Sequence, residues 1–191
     1  YGNWQPAGME FEDVWFTSVD GTQLNGWFRP HESPRAVVLF LHGSAGNVTH
    51  RADVLRRLHG EHGVAAMTFD YRGFGRSEGQ LDEQGFYDDA RAARSWLAQR
   101  CGISETEVVL IGRSLGGAVA VDLAACDGAA ALVLENSFTS LPDVAALHYR
   151  WLPVRLLIRW QLDSLGKIGD YHGPLLQSHA EADEVVPLAM A

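Results

Sequence analysis

The sequence predicts an α/β fold: a mostly parallel sheet, opened by an antiparallel hairpin and covered by helices on both faces. Three observations predict it. Residues 36–41 are six consecutive apolar residues, and similar, largely apolar runs recur at 64–69, 108–111, 131–134 and 175–178, the mark of strands buried on both faces. Helical patterns separate them, and strands alternating with helices require parallel crossovers. A length of 191 residues with 47% hydrophobic content supports one good core, so a single domain is expected over 1–191.

The elements follow in order. Residues 13–19 and 23–29 flank the turn Asp20-Gly21 and read as the hairpin. Strand 36–41 leads to a helix at 49–60, and strand 64–69 to a helix at 83–99. That second helix has Asp82 as N-cap and Phe86, Ala90, Ala93 and Leu97 along one face. Strand 108–111 runs into a small-residue helix at 115–126, followed by strand 131–134. Segment 137–162 carries Trp151, Leu152, Leu156, Leu157 and Trp160 with arginines beside them. It reads as a helix packed on the sheet, or as a short lid that grips an acyl chain or touches a membrane surface.

Composition excludes several classes. Fifteen basic against 24 acidic residues give a net charge of −9, and no Lys/Arg cluster breaks the trend. Nucleic acid and anionic membrane are therefore not expected as main partners. Two cysteines, Cys101 and Cys126, exclude a disulfide framework and read as buried small hydrophobes, with a reducing compartment preferred. No apolar stretch approaches the roughly 20 residues of a membrane span, and no signal-peptide pattern is seen. The chain starts at Tyr1 rather than Met and stops after Val-Val-Pro-Leu-Ala-Met, so both ends read as cut.

In an open α/β sheet, function gathers at the C-terminal strand ends. Residues 108–117 read Val-Val-Leu-Ile-Gly-Arg-Ser-Leu-Gly-Gly, a serine with glycines two before and two after. A serine that attacks a carbonyl stands on a turn so sharp that its backbone is strained, and side chains at 112 and 116 would collide there. Gly112 and Gly116 fill those places, with Arg113 between Gly112 and the serine. The plain alternative is an ordinary strand–turn–helix connection. The helix after Ser114 points positive partial charge at it.

After strand 36–41 comes His42-Gly43-Ser44-Ala45-Gly46-Asn47, a glycine-rich turn able to expose a backbone N–H. Acyl transfer builds negative charge on the carbonyl oxygen, and fixed donors facing it are often the largest catalytic term. The expected donors are the N–H groups of Ser44 and Leu115, with His42 and Gly43 holding the turn. No Lys follows, so a nucleotide-phosphate loop is not expected. After strand 64–69, Asp70-Tyr71-Arg72-Gly73-Phe74-Gly75 lacks the dinucleotide fingerprint, because position 78 is Glu. Asp70 and Arg72 are expected to pair and steady this loop.

A serine hydroxyl needs a base, and the base an orienting acid, in the chain order Ser, Asp/Glu, His. Asp183, in the acidic turn after strand 175–178, is the expected acid. Glu135 is the runner-up, its Glu-Asn-Ser context reading as a helix cap. Of the eight histidines, none follows Asp183, and His148 and His172 fall between elbow and acid. His148 would have to swing in from a covering helix. The base is therefore expected beyond residue 191; without it the chain is a truncated inactive hydrolase or a non-catalytic binding module.

With these residues in place, the chain resembles the Bem46/ABHD13/ABHD17-like group of α/β-hydrolases. The resemblance runs through Phe-Leu-His-Gly-Ser-Ala-Gly-Asn-Val-Thr-His-Arg, Phe-Asp-Tyr-Arg-Gly-Phe-Gly-Arg-Ser-Glu-Gly, Gly-Arg-Ser-Leu-Gly-Gly-Ala-Val-Ala and Leu-Glu-Asn-Ser-Phe-Thr-Ser-Leu-Pro-Asp. It implies an α/β-hydrolase fold, Ser114 as nucleophile, Asp183 as acid, Ser44 and Leu115 as oxyanion donors, and a histidine after residue 191. The group's usual Asn in the His-Gly-Asn turn is Ser44 here; a backbone donor survives that change. The resemblance further implies a small-molecule or acylated substrate held by an ester or thioester, without cofactor or metal. Some relatives remove acyl groups from protein cysteines, and many carry an N-terminal membrane anchor. A cytoplasmic location, or the cytoplasmic face of a membrane, is expected, with membrane contact through 137–162 or such an anchor.

Overall fold

The computed structural model describes residues 2–149, 151 and 157–190. Seven strands form one mixed sheet: β1 (Glu12–Thr17), β2 (Gln23–Arg29), β3 (Val37–Leu41), β4 (Ala65–Phe69), β5 (Val108–Arg113), β6 (Ala131–Glu135) and β7 (Leu175–Ser178). Their order is β1-β2-β4-β3-β5-β6-β7. β1 and β2 are antiparallel to each other and β2 to β4, while every other neighbouring pair is parallel. The predicted hairpin and parallel core are both present, with boundaries shifted by one or two residues.

The helices are α1 (Ala52–His62), α2 (Glu83–Cys101), α3 (Leu115–Asp127), α4 (Leu141–His148) and α5 (Leu165–Ile168). A 3-10 turn at Val48–Arg51, capped by Asn47, takes the place of the predicted first turn of α1. Asp82 caps α2 as expected, its carboxylate accepting the Gly85 N–H at 2.9 Å, and Phe86, Ala90, Ala93 and Leu97 are all buried.

Two cores sandwich the sheet. On one face Phe16, Phe28, Leu39, Met67, Leu110 and Leu132 pack with α2 and α3. On the other, Trp27, Val38 and Ala66 pack with Val48, Ala52 and Leu55 around α1. Parallel strands covered on both sides explain why β3 and β4 are buried at every position and apolar at all but Thr68.

Some expectations need correction. β7 is not a strand buried on both faces: among the described residues it lies at one end of the sheet, and Leu175 and Leu176 are exposed. Cys101 is only half-buried and Cys126 is exposed, because each falls at the end of a helix rather than on its sheet-facing stripe. Within 137–162 the structure has α4, while positions 150 and 152–156, including Leu152 and Leu156, lie outside the described residues. No described helix is long and apolar enough to cross a membrane.

Candidate active site

Ser114 stands between β5 and α3 with φ 52° and ψ −118°, a backbone conformation that costs of order 1–3 kcal/mol for a residue with a side chain. Two hydrogen bonds hold it there: its N–H donates to the Glu135 carbonyl at 3.0 Å, and its carbonyl accepts the Gly117 N–H at 2.8 Å. The flanking glycines are required by space. A Cβ at Gly112 would lie 2.6 Å from Gly117 Cα and 2.8 Å from Ala120 Cβ. One at Gly116 would lie 2.7 Å from the His42 carbonyl and closer still to that of Leu41. The glycines thus let α3 press against both its own strand and β3.

That approach brings the turn after β3 beside the serine. A Cβ on Gly43 would sit 3.3 Å from Ser114 Cβ and 3.9 Å from its Oγ. Leu115 is the first residue of α3, so its N–H has no partner within the helix. Among the described residues the Ser44 N–H has no protein acceptor either. Two backbone donors without a partner among the described residues thus belong to residues that line the same cleft as Ser114.

The turn is held from behind. His42 is fully buried; its Nδ1 donates to the Gly43 carbonyl at 2.7 Å, and its Nε2 faces Asp70 Oδ1 across 3.4 Å. Asp70 Oδ1 also accepts the Val48 N–H at 2.8 Å, and Arg51 hydrogen-bonds the Ala45 carbonyl. Burial first, and then the neighbouring Arg113, lower the Arg51 pKa.

Asp70 and Arg72 do not pair with each other, contrary to expectation. The chain turns between Tyr71 and Phe74, whose N–H donates to the Tyr71 carbonyl at 2.9 Å, and this sends the two side chains opposite ways. Asp70 serves the β3 turn, whereas Arg72 reaches Asp89 of α2 at 2.7 Å and Asp20 of the hairpin turn at 2.9 Å. The hydrogen bond to Asp89 is the main cause that raises the Arg72 pKa. Both residues steady the loop, but separately.

Asp183 follows β7. Its Oδ1 accepts the N–H groups of Val185 and Val186, each at 2.9 Å, and its Oδ2 accepts the Asn136 amide at 2.5 Å. These bonds, led by the Val186 N–H, hold its pKa below the usual carboxylate value. Asn136 was not among the residues singled out from the sequence. It sits at φ 47° just past β6, and an Asn at a strand's C-terminal end is the signal that marks it.

Glu135 is no helix cap. It takes Arg113 at 2.6 and 2.9 Å, and the two side chains line a separate groove beside α1 with Phe40 and Arg57. The cap of α4 is Ser140. No described histidine hydrogen-bonds Ser114 or Asp183: His148 bonds the Val185 carbonyl at 2.8 Å and His179 that of Val186 at 2.6 Å. No described cluster of His, Cys, Asp or Glu is arranged to hold a metal.

Ser44, Ser114 and Leu115 open onto a cleft of about 250 Å3. Phe74, Leu81, Phe86, Leu141, Val144 and Trp160 line it. Val185 and Val186 of the Asp183 loop line it too.

A family model described as serine aminopeptidase, S33, matches residues 32–172. An uncharacterized protein of Mycobacterium tuberculosis is 41% identical over 97% of this chain and 66% of its own length. Protein bem46 of Schizosaccharomyces pombe is 33% identical over 94% of the chain and 62% of its own. The chain thus spans somewhat less than two thirds of these relatives. Among solved structures, the Pyrococcus furiosus esterase Pf2001 superimposes with a TM-score of 0.79 at 23% identity, covering 99% of this chain and 79% of that one, a likeness of fold. The elbow geometry, the sheet order and these matches agree, and the chain belongs to the α/β-hydrolase family, in the group that contains bem46.

Proposed function

We propose that this chain carries the nucleophile, oxyanion donors and orienting acid of a serine hydrolase that cleaves carboxylic esters or thioesters. The observation that carries this reading is Ser114 itself, held at φ 52° with a free-donor turn beside it and an apolar cleft in front.

In this mechanism Ser114 Oγ attacks the acyl carbonyl as a histidine base takes its proton. The oxyanion forms against the Ser44 and Leu115 N–H groups. Collapse breaks the bond to the alcohol or thiol, which leaves with the proton held by the histidine. Water, deprotonated by the same base, then cleaves the acyl-enzyme and restores Ser114. Asp183, kept ionised by the Val186 and Val185 N–H groups and Asn136, orients the base. The base in this reading is a histidine; among the described residues none bonds Ser114 or Asp183.

One observation favours a second reading, a non-catalytic binding module: no described histidine bonds to Asp183. A fluorophosphonate probe on the full-length protein separates the two. The enzyme reading expects labelling of the wild type that Ser114→Ala abolishes. No labelling, or equal labelling of the variant, overturns it.

A further inference from the structure

We infer that the cleft is an acyl pocket for uncharged chains of medium length, and that it rejects an α-ammonium group. Its catalytic meaning rests on the reading of Ser114 as nucleophile; its binding preference does not.

The cleft is chemically polarised. Among its described lining residues the polar side chains are those of Ser44 and Ser114, and the others are aliphatic or aromatic. An acyl group thus has one orientation that leaves no polar atom stranded: carbonyl at the serines, chain along the hydrocarbon walls. With about 30 Å3 for a water-sized group, a volume of about 250 Å3 holds about eight such groups. That matches burial of roughly six to eight carbons, with the rest of a longer chain outside the cleft.

The wall that sets this limit is fixed. Trp160 stands edge-on to Phe86, with ring centroids 5.6 Å apart and planes at 82°. The next two residues are clamped by Glu83 at the start of α2, which accepts the Gln161 N–H at 2.6 Å and the Leu162 N–H at 2.8 Å. The Gln161 carbonyl accepts the Leu141 N–H at 2.9 Å, tying this stretch to α4. Leu162 is fully buried at φ 42°, a conformation that persists only where its surroundings hold it. The wall has little freedom to retreat from a longer chain.

Charge selectivity follows from the same residues. An aminopeptidase substrate brings an α-ammonium next to the scissile carbonyl, and burying it needs a carboxylate partner. No described lining residue is acidic. Glu83, the carboxylate bonded to this wall, is not among the described lining residues and accepts the Gln161 and Leu162 N–H groups and, by Oε1, the Tyr87 hydroxyl at 3.1 Å. The pocket therefore differs in chemistry from what the name of the matching family model would suggest.

The test measures binding apart from turnover. The full-length Ser114→Ala protein is titrated by calorimetry with straight-chain methyl esters from C2 to C12. The expected result is a gain of about fourfold in affinity per methylene, levelling off between C6 and C8. At pH 6.5, where an α-amino group is mostly protonated, leucine methyl ester is expected to bind about 30-fold or more weakly than methyl 4-methylpentanoate, the same skeleton without the ammonium. Adding Trp160→Ala moves the plateau to longer chains, and adding Val144→Trp moves it to shorter ones. A flat series, affinity that climbs unchecked to C12, equal binding of the two branched esters, or a plateau that neither variant moves overturns the inference. Wild-type protein that binds the series as expected but resists the fluorophosphonate probe keeps the pocket and overturns only the nucleophile.

Discussion

Replacing Asp70 tests whether the turn after β3, the oxyanion turn of the proposed mechanism, is held from behind. Asp70 is fully buried, and its Oδ1 accepts the Val48 N–H at 2.8 Å while facing His42 Nε2. In Asp70→Ala the Val48 N–H is left buried without an acceptor, a loss of about 1–3 kcal/mol. The vacated carboxyl volume adds about 1 kcal/mol, so the expected cost is about 2–4 kcal/mol. For a domain of this size that corresponds to a melting temperature about 4–16 °C lower. Asp70→Asn keeps an acceptor and fills the space, and is expected to cost about 1 kcal/mol, below the range set by truncation. Urea unfolding of the full-length proteins, followed by tryptophan fluorescence, reads both values. The same variants report on the site: because His42 holds the Gly43 carbonyl, Asp70→Ala is expected to slow fluorophosphonate labelling about 10–100-fold in protein that is still folded, as loss of an oxyanion donor does. Asp70→Ala within 0.5 kcal/mol of wild type, or indistinguishable from Asp70→Asn, would refute the reasoning.

Three further outcomes are expected. Gly116→Ala drives a Cβ into the Leu41 and His42 carbonyls, backbone that cannot swing aside, so it should cost more than about 3 kcal/mol and yield insoluble or unfolded protein by circular dichroism. Asp89→Asn removes the charge that Arg72 meets at 2.7 Å in a buried site; it should cost about 3–5 kcal/mol in a thermal melt, and a change below 1 kcal/mol would show the pair to be dispensable. Asn136→Ala should raise the Asp183 pKa, read by carboxyl NMR titration, because one of its three donors is gone. The sign follows from linkage: a carboxylate whose folded pKa is depressed contributes stability above its unfolded value of about 3.9, and this is lost as pH falls through the folded value. The variant should therefore show a smaller loss of stability on acidification than the wild type.

How much of this was legible in the sequence depended on the range of the interaction. Apolar runs and the Asp82 cap are local signals, and β3, β4 and α2 came out where they pointed. The elbow was legible because its glycines answer a local steric demand, seen in the 2.6 Å approach of Gly117 Cα to a Cβ at Gly112. What failed was the pairing of side chains from distant elements. Asp70 and Arg72 are two apart and opposite in charge, so neighbourhood suggested a pair; the turn at Tyr71 instead directed one to Val48 and the other to Asp89. Glu135 was misread for the same reason, since its partner Arg113 lies on the adjacent strand. Asn136 escaped notice because its task, holding Asp183 from 47 residues away, leaves no local trace beyond the strand-end Asn.

These long-range contacts are also what places the site. Ser114 is strained on its own and is held by Glu135 of β6 through the backbone. The next residue of that strand end, Asn136, takes Asp183 and, by its N–H, the Ser178 carbonyl at 2.9 Å. One strand end thus holds both Ser114, through the Glu135 carbonyl, and Asp183, through the Asn136 amide. A perturbation at Asn136 should therefore reach Asp183 and leave the turn after β3, which hangs from Asp70, untouched. Fluorophosphonate labelling and Asp183 titration, measured on the Asp70 and Asn136 variants side by side, should separate: Asp70→Ala slows labelling without moving the Asp183 pKa, and Asn136→Ala moves the pKa. If both variants shift both readouts alike, the two supports are one cooperative unit and the division argued here is wrong.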